Sequence, residues 1–250
     1  MITEHDVHIE PGVVTTLRFN RPQKKNAITA AMYTALADGL EAAANDPEVR
    51  VVLILGAGGA FTAGNDLKDF LANPPKGEDA PVFRVLEGLR QFPKPLVAAV
   101  DGVAVGIGTT MLLHCDLVYC SDRARFQLPF INLGLTPEGG ASYLLPRAVG
   151  RQRASSWLFF GEPISPAEAL EAGIVNAVLP PDDLEAFARA RCEVLATKSP
   201  SGLAAAKALM RVNEQEDLRV AMVREAGEIV TRLESPEAIA AFTRFLAPKS

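Results

Sequence analysis

Hydrophobic and polar residues alternate at the start of the chain, in VHIE at 7–10 and VVTTLRF at 13–19, on either side of Pro11-Gly12. A period of two around such a turn predicts a β-hairpin with one buried face. A polar loop, NRPQKKN, follows at 20–26. Met32, Leu36, Leu40 and Ala43 then recur at helical spacing in an Ala-rich segment, which predicts a helix over 30–45 capped by Thr29. The run VVLILG at 51–56 is unbroken aliphatic and ends in glycine, as expected of a strand covered on both faces. Strand, glycine-rich loop and helix recur in PLVAAVDGVAVGIGTTMLL at 95–113, and more weakly through LVYC and ARFQLP. The core therefore reads as α/β, assembled from β-β-α-like units. Past Pro163 the texture turns helical, with a capping box in Ser165-Pro166-Ala167-Glu168 and Ser-Pro starts at Ser199-Pro200 and Ser235-Pro236. A soft boundary near Pro180-Pro181 divides an α/β core at 1–180 from a helical region at 181–250, expected to pack on the core or on a neighbouring subunit.

Composition narrows the function classes. The 250 residues are 48% hydrophobic and 22% charged, ordinary for a globular chain and enough for one large domain or one with a small appendage. The formal charge of -5 offers no basic field for a phosphate backbone or an anionic membrane, so neither nucleic acid nor membrane is an expected partner. The apolar stretch at 96–115 contains Asp101, His114 and three glycines and reads as a buried strand followed by a buried helix rather than a membrane span. Cys115, Cys120 and Cys192 form no C-x-x-C pair, and the N-terminus is acidic and polar. Both features favour a cytoplasmic location without an export signal.

Three glycine-rich turns are candidates for chemistry. The first, at 58–67, contains Gly64, Asn65 and Asp66, and Asp66 is placed to cap a following helix. The second, at 104–110, contains Gly106, Ile107 and Gly108 ahead of an apolar segment. Small residues let backbone N–H groups approach a ligand, and two such turns supply the two convergent amides that an oxyanion requires. Close helix–strand packing is the bland alternative. In the third turn, at 134–143, Glu138 stands between Pro137 and two glycines. The plain structural account of that turn makes Thr136 an N-cap, Pro137 the first helical residue and Glu138 a first-turn acid. No dinucleotide fingerprint, P-loop or nucleophile elbow is present, and the His and Cys spacings match no zinc pattern. No metal is expected, and His114 reads as structural.

Taken together, FTAGNDLKDF at 61–70, DGVAVGIGTTMLLHCDLVYCSDRARFQLPF at 101–130 and NLGLTPEGGASYLLPRAVG at 132–150 resemble the crotonase, or enoyl-CoA hydratase/isomerase, superfamily in order and spacing. RPQKKNAIT at 21–29 looks like that family's CoA-binding loop, and GEPISPAEALEAGIVNAVLP at 161–180 like its passage to the helical tail. The resemblance implies the ClpP/crotonase-like spiral of β-β-α units with a C-terminal helical region. It implies an acyl-CoA thioester substrate, with coenzyme A belonging to the substrate and no separate cofactor, and a homotrimer or a dimer of trimers.

By the same resemblance, the backbone amides of Asn65 and Ile107 form the oxyanion hole, and Lys25, Ala27, Ala63, Gly64, Asp66, Leu67, Gly106, Phe130, Leu133 and Phe242 are substrate or CoA contacts. Lys24 is an alternative to Lys25 for the CoA phosphates. Hydratases of the family carry two catalytic glutamates, whose matching positions here are Thr110 and Phe130. The PEG turn instead resembles the branch containing the 3,2-enoyl-CoA isomerases and makes Glu138 the base. The implied reaction shifts the double bond of a 3-enoyl-CoA to position 2. Hydratase or other thioester chemistry, or acyl-CoA binding without catalysis, are the competing expectations. Phe70, Leu71, Phe83, Leu86 and Leu133 are candidates to line the acyl pocket.

Overall fold

The computed structural model describes residues 6–73 and 80–246. The strands among them are β1 (Val7–Glu10), β2 (Val14–Phe19), β3 (Val51–Gly56), β4 (Leu96–Val100), β5 (Val103–Val105), β6 (Leu117–Ser121), β7 (Arg125–Gln127) and β8 (Ala177–Leu179). The helices are α1 (Ala30–Asn45), α2 (Leu67–Ala72), α3 (Pro81–Gln91), α4 (Ile107–Thr110), α5 (Ala141–Val149), α6 (Arg151–Phe160), α7 (Pro166–Glu171), α8 (Pro181–Ala196), α9 (Pro200–Arg211), α10 (Gln215–Leu233) and α11 (Pro236–Leu246). A six-stranded sheet runs in the order β1-β2-β3-β4-β6-β8, and β5 pairs with β7 in a small second sheet. The β1–β2 hairpin is antiparallel, with Ile9 opposite Leu17, and every later pairing is parallel. This is the mixed α/β fold that the hydrophobic pattern and the resemblance imply.

Two apolar layers explain the unbroken runs. Val52, Ile54, Leu96, Ala98 and Val118 pack with Met32, Leu36 and Leu40 of α1 and Leu86 and Leu89 of α3. The alternate residues Val51, Leu53, Leu55, Val97 and Ala99 pack with Leu184, Ala188 and Cys192 of α8. Successive strand side chains point to opposite faces, so a central parallel strand needs apolar residues at every position. Among the described residues no helix is long and apolar enough to cross a membrane.

The helix starts follow the predicted chemistry. Thr29 accepts from the Met32 amide, Ser165 and Glu168 form the reciprocal capping box, and Ser199 and Ser235 accept from the amides of Gly202 and Ala238. Two expectations need correction. The segment at 96–115 is not one strand and one helix: β4 is followed by the short β5, then the single turn α4 and a 3-10 turn at Met111–His114. Gly102 and Gly106, both at positive φ, break the apolar run where the backbone must turn. The capping account of the third turn also fails. Helix α5 begins at Ala141 behind Gly140, Glu138 lies ahead of it, and the Thr136 hydroxyl is buried without a hydrogen bond.

Candidate active site

The site is assembled from loops that the sheet holds together. Asn26 is fully buried in the left-handed conformation, which Asn tolerates better than most residues. Its side chain accepts from the Arg21 amide and donates to the carbonyls of Ala57 and Ala60, while its own carbonyl accepts from the Thr62 hydroxyl. That network ties loop 21–29 to the first glycine turn. The Ala63 amide bonds to the Lys25 carbonyl, and Ile28 pairs with Asn65. Asp66 caps α2 by accepting from the Lys68 and Asp69 amides and pairs with Arg21 at 2.8 Å. The Arg21 guanidinium and the cap hold its carboxyl below the usual range against the opposing effect of burial.

The second glycine turn closes against the first. Thr62 bridges to Ala104. A Cβ added to Gly64 would lie 2.7 Å from the Val105 carbonyl oxygen, and one on Gly108 would lie 2.6 Å from Thr62 Cγ2. Only glycine permits this approach, and it brings the backbones at 64–65 and 105–108 side by side. The amides of Asn65 and Ile107 have no acceptor among the described residues. The Asn65 side chain is held in turn by the hydroxyl of buried Tyr33, which donates to its Oδ1 at 2.6 Å.

Glu138 enters from the third turn. Its Oε1 accepts from Thr110 Oγ1 at 2.5 Å, and Thr110 lies on the same helical turn as Ile107. Burial pushes the Glu138 carboxyl up to about 7, an effect opposed by the Thr110 bond and reinforced by the charge of Glu225. Behind it, His114 is buried and shifted down to about 4 by desolvation, so it is neutral and donates Nε2–H to the Gly139 carbonyl at 2.7 Å. His114 thus fixes the turn rather than exchanging protons. A cavity of about 630 Å³ opens onto Glu138 between α3 and α10, with Phe83, Leu86, Met222 and Val223 on its apolar walls.

Most of the predicted residues converge on this region. Asn65, Asp66, Gly64 and Ala63 form the first turn, Gly106 and Ile107 the second, and Leu67 opens α2. Phe130 packs beside Gly106, 3.9 Å from where a Cβ would sit. Lys24 and Lys25 are exposed on the loop that also presents Ala27. Phe83 and Leu86 line the cavity, whereas Phe70 lines a small cleft beside Asn65 and Leu71 is exposed. Phe242 is 3% exposed and shares an apolar cluster with Phe130 and Leu135, with Leu133 packed against it. Asn26, Tyr33 and Glu225 were not legible as site residues. Asn26 carried the faintest signal, an Asn in a polar loop where a left-handed residue is tolerated.

Three comparisons bear on this geometry. The family description enoyl-CoA hydratase/isomerase matches residues 10–242. The chain is 36% identical over 244 residues to enoyl-CoA delta isomerase 2 of Homo sapiens, covering 95% of this chain but 62% of that protein, so it spans less than two thirds of that relative's length. It is 37% identical over 217 residues to 2,3-dehydroadipyl-CoA hydratase of Escherichia coli (strain K12), covering 85% of this chain and 84% of that one. The solved structure of Pseudomonas aeruginosa OdaA is similar with a TM-score of 0.94 at 44% identity, covering 98% of this chain and 99% of that one.

Proposed function

The chain belongs to the enoyl-CoA hydratase/isomerase family, and from that premise we propose that it is an isomerase moving the double bond of a 3-enoyl-CoA to position 2. The observation that carries this reading is a single available carboxylate. Three carboxylates line the cavity: Glu138 lies beside the turn that presents Ile107, whereas Glu225 has each oxygen engaged by a backbone amide and Glu87 is paired with Arg90. Glu138 removes a proton from C2, and the C–H electron pair spreads through C1–C4 to give a dienolate. The negative thioester oxygen accepts from the amides of Asn65 and Ile107, an arrangement whose individual donors are worth about 10²–10³ in rate. The same carboxyl returns the proton to C4, leaving the double bond between C2 and C3. A group titrating near 7 suits both halves of such a shuttle.

By the resemblance, Thr110 and Phe130 stand at the positions that match the two hydratase acids, which disfavours two-carboxylate hydration. In this reading the acyl tail occupies the cavity between α3 and α10, and loop 21–29 with Lys24 and Lys25 faces the CoA phosphates. A homotrimer or dimer of trimers accompanies it, which light scattering on the eluting protein measures. The similarity to a named hydratase favours one competing reading, water addition by Glu138 alone. Both are tested by incubating the protein with 3-hexenoyl-CoA and with crotonyl-CoA in deuterated water, following double-bond position and label at C2 and C4 by mass spectrometry. Conversion to the 2-enoyl ester, lost in Glu138→Gln, supports the isomerase. Enzyme-like hydration of crotonyl-CoA without isomerisation replaces it with the hydratase.

A further inference from the structure

We propose that Glu225 is a positioning residue of this site, a carboxylate from α10 that clamps the turn carrying Glu138 and sets a further acidic group on the wall of the same cavity. Its Oε2 accepts from the Gly140 amide at 2.6 Å and its Oε1 from the Ser142 amide at 2.8 Å. These amides belong to the start of α5, where backbone donors have no partner within the helix. No side chain of the third turn caps them, since the Thr136 hydroxyl makes no bond. Glu225 supplies from 85 residues away what a local N-cap would normally supply.

The contact is close by construction. Gly140, at φ +78°, packs directly against α10: a Cβ there would fall 2.4 Å from Leu218 Cδ1 and 3.4 Å from Met222 Cγ. Glu225 itself is 7% exposed. With two N–H donors aimed at its two oxygens, the ionised form is the one that satisfies the site. Burial pushes its carboxyl up from the usual range, and the bonds from Ser142 and Gly140 offset only part of that push.

Several groups face Glu138 from the surrounding elements. Tyr33 of α1 is raised by burial first and by the nearby Glu138 charge second, Glu87 of α3 and Arg219 of α10 line the cavity, and neutral His114 sits behind Gly139. Glu87 is paired with Arg90, and Arg219 with Glu216. Glu225 therefore acts on Glu138 twice: its bonds fix the turn, and its charge favours the protonated carboxyl. The catalytic meaning of the clamp rests on Glu138 being the base proposed above, whereas its geometry does not.

The test reads Glu138 without substrate. Carboxyl resonances of protein labelled with ¹³C-glutamate are titrated, with Glu138 assigned by its loss in Glu138→Gln, and amide hydrogen exchange is followed at Gly140 and Ser142. In Glu225→Gln the Glu138 midpoint is expected to fall by roughly one pH unit, a tenfold change in proton affinity. Glu225→Asp, which keeps the charge, should restore most of it. Exchange at Gly140 and Ser142 should be slow in the unaltered protein. An unmoved midpoint, or rapid exchange at these amides in the unaltered protein, overturns the clamp. If Glu225→Gln does not fold, the exchange measurement and Glu225→Asp decide. A moved midpoint in a protein without isomerase turnover leaves the clamp standing and removes the isomerase reading alone.

Discussion

Replacing Thr110 with valine keeps its volume and removes one hydroxyl from the site. In the native site that hydroxyl donates to Glu138 at 2.5 Å and opposes the burial that raises the carboxyl to about 7. A hydrogen bond to a charged group is worth about 1.5–3 kcal/mol net. If about 1.4 kcal/mol of that favours the ionised form, the Thr110→Val carboxyl titrates roughly one pH unit higher. In the proposed isomerisation the base must be ionised to remove the C2 proton, and its ionised fraction at pH 7 falls from about one half to about one tenth. The expected loss at pH 7 is about fivefold, shrinking to near parity by about pH 9, because only the acid limb moves. The assay is kcat/KM for 3-hexenoyl-CoA across pH, followed by the absorbance of the conjugated product. An acid limb that stays put or moves toward acid, or a loss of equal size at pH 6 and pH 9, refutes the reasoning.

Three further outcomes follow from the same contacts. Because its folded-state value is raised, Glu138 contributes stability that is fully present below the carboxyl's unfolded value and lost as pH rises through about 7. Glu138→Gln should therefore be more stable than the parent at pH 8, by up to about 3 kcal/mol, with little difference at pH 4, as measured by urea unfolding. Asn26→Asp should destabilise by about 2–4 kcal/mol in the same assay, since a carboxylate would face the carbonyls of Ala57 and Ala60 that now accept from Nδ2. Tyr33→Phe frees the Asn65 side chain and, on the proposed reading in which the Asn65 amide serves the oxyanion, should lower kcat by about tenfold while leaving KM nearly unchanged.

How far the sequence reveals this molecule depends on the range of each interaction. The hairpin, α1 with its Thr29 cap, and the doubly covered β3 and β4 follow from short-range periodicity. The glycine turns were legible because close backbone approach demands a residue without a Cβ, as at Gly64 and Gly108. Glu138 stood out by its neighbours in the PEG turn, and the plain alternative that made Thr136 the cap of the following helix is not what the structure shows. The true acceptor for the start of α5 comes from α10, and no local pattern announces a partner that distant. Tyr33 is similar: in the helical pattern it is one more core residue, and only the fold brings its hydroxyl to Asn65. The apolar run at 96–115 concealed β5 because hydrophobicity alone does not distinguish a short strand from a helix turn.

The placement of α8 bears on how the chain is made. Val51, Leu53, Leu55, Val97 and Ala99 are buried by Leu184, Ala188 and Cys192, residues that a ribosome adds long after the strands themselves. During synthesis, β2, β3, β4 and β6 can align before their second cover exists, leaving an aliphatic surface bare until the chain has grown through α8. Closing that loop late carries an entropic cost that grows only slowly with its length, so the exposed interval rather than the closure itself is the hazard. A chain truncated before Pro181 would keep every catalytic candidate of the three glycine turns and still present the sheet as a sticky face. Recovery of such a fragment in the soluble fraction, set against the full chain, measures how much of the molecule's solubility resides in α8 and the three helices that follow it.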